Sequence, residues 1–379
     1  MKIVLNFLGL RVGGGRTDAI NILFSLPRVA KTYKFLAIVP SGCGYDKIEL
    51  SSNCELLTIT PRKFNDIWRL YFDNFIIPKI CKHFQANVIF TMCNNGPLRV
   101  PCRHVLMLRR PQLAYNDKEL IEAKIKISFK LRFLRWYFQK LLSNVDALIV
   151  QTNLMKNLVE RRYKIDVPQF IVGKNISQGF KTSPEIHLSY IKNNQSRDNP
   201  KIFLYLTQYY PHKNLELACD AMLKVYESGQ NVSLWLTLSG SEGPNCNRLV
   251  EEIRNGKYKK VVKNIGHVGL SEIESVYKAV DAVFMPTLLE SYSATFLEAM
   301  AYKKPLLVSD REFAREICGD AAIYFDPLSI DSMTDAISKF NPSSEISIGL
   351  IQKGIKQFDK FNIAWDELCK QYIKILSVQ

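Results

Sequence analysis

Short apolar runs, each followed by a stretch of helix length, constrain this chain more than any other feature. Residues 2–8, 35–39, 87–90, 104–108 and 147–151 are rich in Val, Ile, Leu and Phe and too short to be helices. Runs of this kind read as strands buried on both faces. The segments between most of them carry helical spacing, so the order is strand, helix, strand, and the sheet it builds is parallel. A second series follows, with strands expected at 201–206, 232–239, 261–265, 282–285 and 305–309. Helices are expected at 17–26, 215–228 and 271–280, and a last one at 361–376. Residues 183–200 between the series are polar and read as a linker. The chain, at 379 residues, is longer than one core comfortably fills. We therefore expect two doubly wound α/β domains, 1–182 and 183–361, with 362–379 packing back on the first. In such folds ligands sit at the carboxyl ends of the strands, here in a cleft between the domains.

Charge separates the two halves. Residues 1–175 hold 28 Lys/Arg against 12 Asp/Glu, whereas 176–379 hold 23 against 24. The basic half suits an anionic partner such as nucleic acid, lipid or a phosphorylated acceptor. No apolar run reaches the roughly 18 residues of a membrane span. The apolar start, 1–5, is too short for a signal peptide and reads as the first strand. The nine cysteines are dispersed, with no C-x-x-C pair, which fits reduced thiols in a cytoplasmic setting.

Chemistry concentrates in residues 281–300. A strand ends at Met285, a loop follows, and a helix begins near Ala294. Glu290 lies in the loop and Glu298 about one turn into the helix. The helix start offers free backbone amides from Ser293, Ala294 and Thr295 and a positive dipole end, which suits a diphosphate. The two carboxylates either accept hydrogen bonds from sugar hydroxyls beside that site or simply favour the helix start. Upstream, Lys213 sits where the 201–206 strand gives way to a helix; it reads as a phosphate-binding cation or as a surface lysine. Gly13-Gly14-Gly15-Arg16 follows the first strand and permits close backbone approach to a ligand, or serves as a plain strand–helix turn.

These residues carry a resemblance. The Glu290-x7-Glu298 spacing with Glu298-Ala299-Met300, then Lys304-Pro305-Leu306-Leu307-Val308-Ser309, then Cys318-Gly319-Asp320-Ala321-Ala322 and Tyr324-Phe325-Asp326-Pro327, resembles retaining glycosyltransferases of family 4, the glycosyl transferases group 1 family. The resemblance implies two Rossmann-like domains (the GT-B fold) and transfer of a sugar from a nucleotide-sugar donor with retention. It implies that Glu290 faces the donor sugar and Glu298 the ribose hydroxyls. The segment 204–215 is similar to the family's G-R-x4-K loop, whose Arg and Lys neutralise the leaving diphosphate. Lys213 matches the Lys, while Gln208 stands at the Arg position and Thr207 at the Gly. Gly266-His267-Val268 resembles a turn whose backbone meets the nucleobase. Gly14, Gly15 and Arg16 fall in the loop that lies under the donor diphosphate. Where relatives carry a His-Asp pair, this chain reads Leu108-Arg109-Arg110-Pro111.

No Asp-x-Asp sequence and no His/Cys cluster with ligand spacing occurs, so no metal and no cofactor beyond the donor is expected. A GT-B epimerase and a basic nucleic-acid-binding protein are the rival classes; no nucleic-acid motif is present. The expected partners are an NDP-sugar, a polyprenyl-diphosphate-linked or glycan acceptor, and an anionic membrane surface on the inner face of the plasma membrane. That surface is residues 120–142, read as one helix. Leu120, Ala123, Ile127, Leu131, Leu134, Phe138 and Leu141 form its core stripe. Phe129, Phe133 and Trp136, with Lys126, Arg132 and Lys140 around them, form a second face. The same face also fits a doubly buried helix with snorkelling lysines.

Overall fold

The computed structural model describes residues 1–60, 65–173, 200–269 and 271–378. The chain forms two compact units. One comprises Met1–Leu120, Lys126–Ser177 and Ile363–Gln379; the other comprises Ile121–Ile125 and Gln178–Asn362. The stretch read as a linker lies outside the described residues except for Pro200.

The first unit is built on a seven-stranded sheet. Its strands are β1 (Lys2–Asn6), β2 (Lys34–Pro40), β3 (Cys54–Ile59), β4 (Val88–Thr91), β5 (Arg103–Met107), β6 (Ala147–Val150) and β7 (Gln169–Ile171). They run parallel in the order β3-β2-β1-β4-β5-β6-β7. The apolar central strands are fully covered: Ile3, Val4 and Leu5 have no exposed surface. Each such residue contributes roughly 1.5–3 kcal/mol by leaving water. The Gly13–Val29 helix and the Trp365–Ser377 helix cover one face. Ile22 and Leu26 from the first helix share a core there with Leu368, Tyr372 and Leu376 from the second. Arg103 of β5 donates to the carbonyl of Ile375 at 2.8 Å, capping the last turn of the second helix.

The other face is covered by one helical path with three segments, Asn65–Tyr71, a π turn at Phe72–Ile76, and Ile77–Phe84. Pro78 has no N–H to donate four residues back, so the helix widens there rather than continuing with regular bonds. Phe72, Ile77 and Cys81 pack on Val4, Ile38 and Ile89.

The second unit has six parallel strands, β8 (Lys201–Tyr205), β9 (Val232–Leu236), β10 (Val262–Asn264), β11 (Ala282–Met285), β12 (Leu306–Ser309) and β13 (Ala322–Phe325). Their order is β10-β9-β8-β11-β12-β13. In both sheets the order reverses once, between β1 and β4 and between β8 and β11. At a reversal the two flanking connections leave in opposite directions and open a crevice at the strands' carboxyl ends.

Three expectations change. The first helix begins at Gly13, not Thr17, so the glycines form its first turn. Residues 120–142 are not one helix: Asp117–Glu122 and Phe129–Leu142 are separate, with Lys124 at φ +58° between them. The Ser128 hydroxyl accepts from the Leu131 amide at 3.2 Å and starts the second helix afresh. Strands β3, β7 and β13 were also not expected.

Candidate active site

The β8/β11 crevice gathers the two loops singled out from the sequence. After β8 the chain passes Gln208, makes a 3-10 turn at Pro211–Lys213 and enters the Leu215–Glu227 helix. Asn214 links turn and helix at φ +59°, and its buried amide donates to the carbonyl of Pro327 at 2.7 Å. The Tyr205 hydroxyl donates to the carbonyl of Lys213 at 3.0 Å. After β11 the chain runs through Pro286 to Ser293 and enters the Ala294–Ala301 helix.

The two loops are bonded to each other. The amide of Leu288 donates to the carbonyl of His212 at 2.8 Å, and the Thr287 hydroxyl donates to the same oxygen at 3.3 Å. That places Lys213 against Glu290, and the ammonium and carboxylate form an ion pair with both side chains largely buried. The His212 ring stacks on Tyr210, centroids 5.5 Å apart. Burial, and then the Lys213 charge, push its pKa down to about 3, so the ring is neutral at physiological pH.

The Ala294–Ala301 helix presents its amino end at the same crevice. Its N-cap, Ser293, makes no side-chain cap bond, and the first turn holds no acid. The amides of Ser293, Ala294 and Thr295 are therefore at an end where the backbone's own positive charge is not offset. Glu298 lies on the inner part of this helix and accepts from the Tyr277 hydroxyl at 3.1 Å. Tyr277 is fully buried and stacks on Tyr302 at 4.7 Å. Burial, followed by the Glu298 charge, holds its pKa well above the usual value, so the phenol stays a donor. Nothing in the sequence pointed to Tyr277 beyond its place in an expected helix; only the fold brings it to Glu298.

The remaining predicted residues take up separate positions. Gln208 is exposed, and its side-chain oxygen lies 3.5 Å from the Tyr210 hydroxyl. Val268 is half-buried in the loop after β10, beyond Gly266 at φ +78°. In the first unit, Gly14 and Gly15 form the uncapped first turn of the 13–29 helix near the β1/β4 reversal. A Cβ on Gly15 would come within 3.2 Å of Leu10. Arg16 folds back to donate to the carbonyl of Cys43. Gly44 makes room for it: a Cβ there would sit 2.7 Å from the guanidinium. Arg109 donates to the buried Asp18 carboxylate at 2.7 Å, a partner that sequence reasoning missed. His104 is buried on β5 and bonded to Thr91 at 2.9 Å, which makes it structural. Among the described residues no group of three or more His, Cys, Asp or Glu is arranged to hold a metal ion.

Two Rossmann-like units, the second with a Lys–Glu pair and an uncapped helix end at its strand reversal, define a GT-B protein. Residues 189–357 match the model of the family "Glycosyl transferases group 1". It is 24% identical over 205 residues to the O-antigen chain mannosyltransferase RfbU of Salmonella typhimurium, covering 50% of this chain and 56% of that protein. The chain thus matches about half the length of that curated relative. Among solved structures, sucrose-phosphate synthase from Thermosynechococcus elongatus superposes with TM-score 0.76 at 13% identity, over 99% of this chain and 98% of that one. Anabaena HepE in complex with UDP-glucose superposes with TM-score 0.74 at 14% identity, over 100% and 99%. At these identities the structural likeness shows the fold alone.

Proposed function

We propose that this protein is a retaining glycosyltransferase. It would move a sugar, of hexosyl type, from a nucleoside-diphosphate donor to a lipid-linked or polysaccharide acceptor in bacterial surface glycan synthesis. The observation that carries the reading is the pinning of the Lys213 turn to the Glu290 loop beside the uncapped 294–301 helix. That arrangement sets one cation and a row of free amides where a diphosphate can lie, and one carboxylate where a sugar can lie. As the glycosidic bond breaks, negative charge grows on the leaving diphosphate. Lys213 and the amides of Ser293–Thr295 stabilise it, with Gln208 adding neutral hydrogen bonds. Glu290 orients the donor sugar, and Glu298, held by Tyr277, takes the ribose hydroxyls. Val268 takes the base.

The helix end and Lys213 do the electrostatic work a divalent cation does elsewhere, so the reaction runs without added metal. The name of the RfbU relative supports transfer over epimerisation, and HepE binding UDP-glucose supports a nucleotide-sugar donor. The working place is the cytoplasmic face of the plasma membrane. No helix among the described residues is long and apolar enough to cross a membrane. Thermal stabilisation of the purified full chain by a panel of nucleoside-diphosphate sugars identifies the donor. Transfer from that donor to a polyprenyl-diphosphate-linked glycan follows, with the anomeric configuration of the product read by NMR. If no nucleotide sugar stabilises the protein, the reading fails; an inverted product removes retention alone.

A further inference from the structure

The first unit carries an aromatic surface made by two elements that are far apart in sequence. On the 129–142 helix Phe129, Phe133 and Trp136 are exposed, Phe129 to 85% and Trp136 to 52%. On the path covering the other sheet face, Ile67, Tyr71 and Phe75 recur every four residues and are exposed to 75%, 53% and 59%. A partly buried bond holds the two elements side by side: the Asn74 side-chain amide donates to the Tyr137 hydroxyl at 2.9 Å, and that hydroxyl donates to the buried carbonyl of Gly96 at 2.8 Å. The rings run on from both ends of this bond. Tyr71 stacks on Phe75 at 5.3 Å, and Phe133 lies 6.3 Å from Tyr137 and 5.7 Å from Trp136. Asn74 and Phe75 both lie in the 72–76 π turn.

Basic side chains predominate on this surface. Residues 67–84 and 126–142 together contain a single carboxylate, Asp73, and it is fully buried against Arg69. The exposed cations are Lys130, Arg132 and Lys140 on the 129–142 helix, Lys126 just before it, and Lys79 and Lys82 on the other element. A protein interface core is generally depleted of lysine, whereas exposed rings among lysines and arginines match a lipid headgroup layer that is anionic above and apolar beneath.

We propose that this composite surface docks the protein on an anionic lipid bilayer, with both elements inserting rings and the flanking cations meeting headgroups. The 65–76 path was no part of the expectation from sequence, which rested on residues 120–142 alone. The inference draws on the proposed function only for its purpose, which is to bring the enzyme to a lipid-linked acceptor.

Vesicle sedimentation of the full chain tests it, comparing phosphatidylglycerol–phosphatidylcholine vesicles with pure phosphatidylcholine at low salt. The wild type is expected to bind the first and leave the second in solution. Tyr71→Ser with Phe75→Ser, and separately Phe129→Ser with Trp136→Ser, are each expected to lower binding at least about tenfold. Lys130→Glu with Arg132→Glu, a change at two exposed positions, is expected to do the same and to restore nothing on neutral vesicles. Circular dichroism and donor-induced thermal stabilisation check that each variant is folded. Transfer to a water-soluble acceptor is expected to be unchanged in all three, so loss of docking and loss of transfer read separately. Wild-type protein that ignores anionic vesicles overturns the proposal, as does a Tyr71→Ser/Phe75→Ser protein that binds them as well as wild type.

Discussion

At the scale of single residues, the Lys213–Glu290 pair makes the sharpest prediction. Glu290→Ala should abolish transfer and keep the fold, because the residue is in a loop, although it leaves the largely buried Lys213 ammonium without this carboxylate and so should lower the melting temperature. Near-normal turnover of that variant in a transfer assay would sink the assignment. Glu298→Ala should act on affinity instead. A hydrogen bond to a charged group is worth roughly 1.5–3 kcal/mol, so nucleotide binding measured by calorimetry should weaken roughly 10–100-fold. Two histidines predict a pH dependence of stability. Burial lowers the pKa of His104 from 6.5 to about 4 and that of His212 from 6.5 to about 3. Between those values and 6.5 the unfolded chain binds more protons than the folded one, so stability falls as pH drops below about 6.5. Melting temperatures across pH 4 to 7 should show this slope. His104→Gln, which keeps a partner for Thr91, should flatten it. Glu290, Glu298 and Lys213 were legible because their spacing is chemistry carried by local sequence. Tyr277 and Asp18 were not, because each matters only through a partner 21 and 91 residues away.

At the scale of elements, the 294–301 helix sets stability against function. Its amino end lacks both a side-chain cap and an acid, an arrangement that leaves stabilisation unused. Thr295→Asp would complement the dipole, worth typically 0.3–1 kcal/mol, while placing a negative charge where the diphosphate is proposed to bind. The expected outcome is an equal or higher melting temperature with donor affinity reduced at least about tenfold. Unchanged donor affinity would show that the anion lies elsewhere. The elements themselves were read from sequence where they are central and apolar. The 282–285 strand was placed at its observed bounds, because a strand buried on both faces is a continuous apolar run. The edge strands β3 and β7 escaped: Cys54–Ile59 includes Glu55, and Gln169–Ile171 is only three residues long. Residues 120–142 misled for another reason. Their apolar stripe keeps helical spacing across the Lys124 break, so periodicity alone cannot reveal that the chain turns there and begins again at Ser128.

At the scale of the whole molecule, the two units differ in how the chain builds them. The second is assembled from one nearly continuous stretch, whereas the first needs residues 363–379 to cover one face of its sheet. Tyr372 is the centre of that cover: it is 2% exposed, lies 5.4 Å from the Phe90 ring and shares the core with Ile22 and Leu26. Tyr372→Ala would leave a cavity the neighbouring strand residues cannot close, at a cost of roughly 3–5 kcal/mol. In a unit of this size each kcal/mol moves the melting point by roughly 2–4 °C, so calorimetry should show the first unit's transition roughly 6–20 °C lower. This helix belongs to the first unit, so a nucleotide sugar should still stabilise the variant through the second. Such a split would show that the β8/β11 crevice keeps its donor when the basic unit is loosened. If Tyr372→Ala melts as the wild type does, the 365–377 helix does not complete the first unit's core. If donor stabilisation disappears as well, the donor contacts rest on the first unit more than on Lys213, Glu290 and the 294–301 helix.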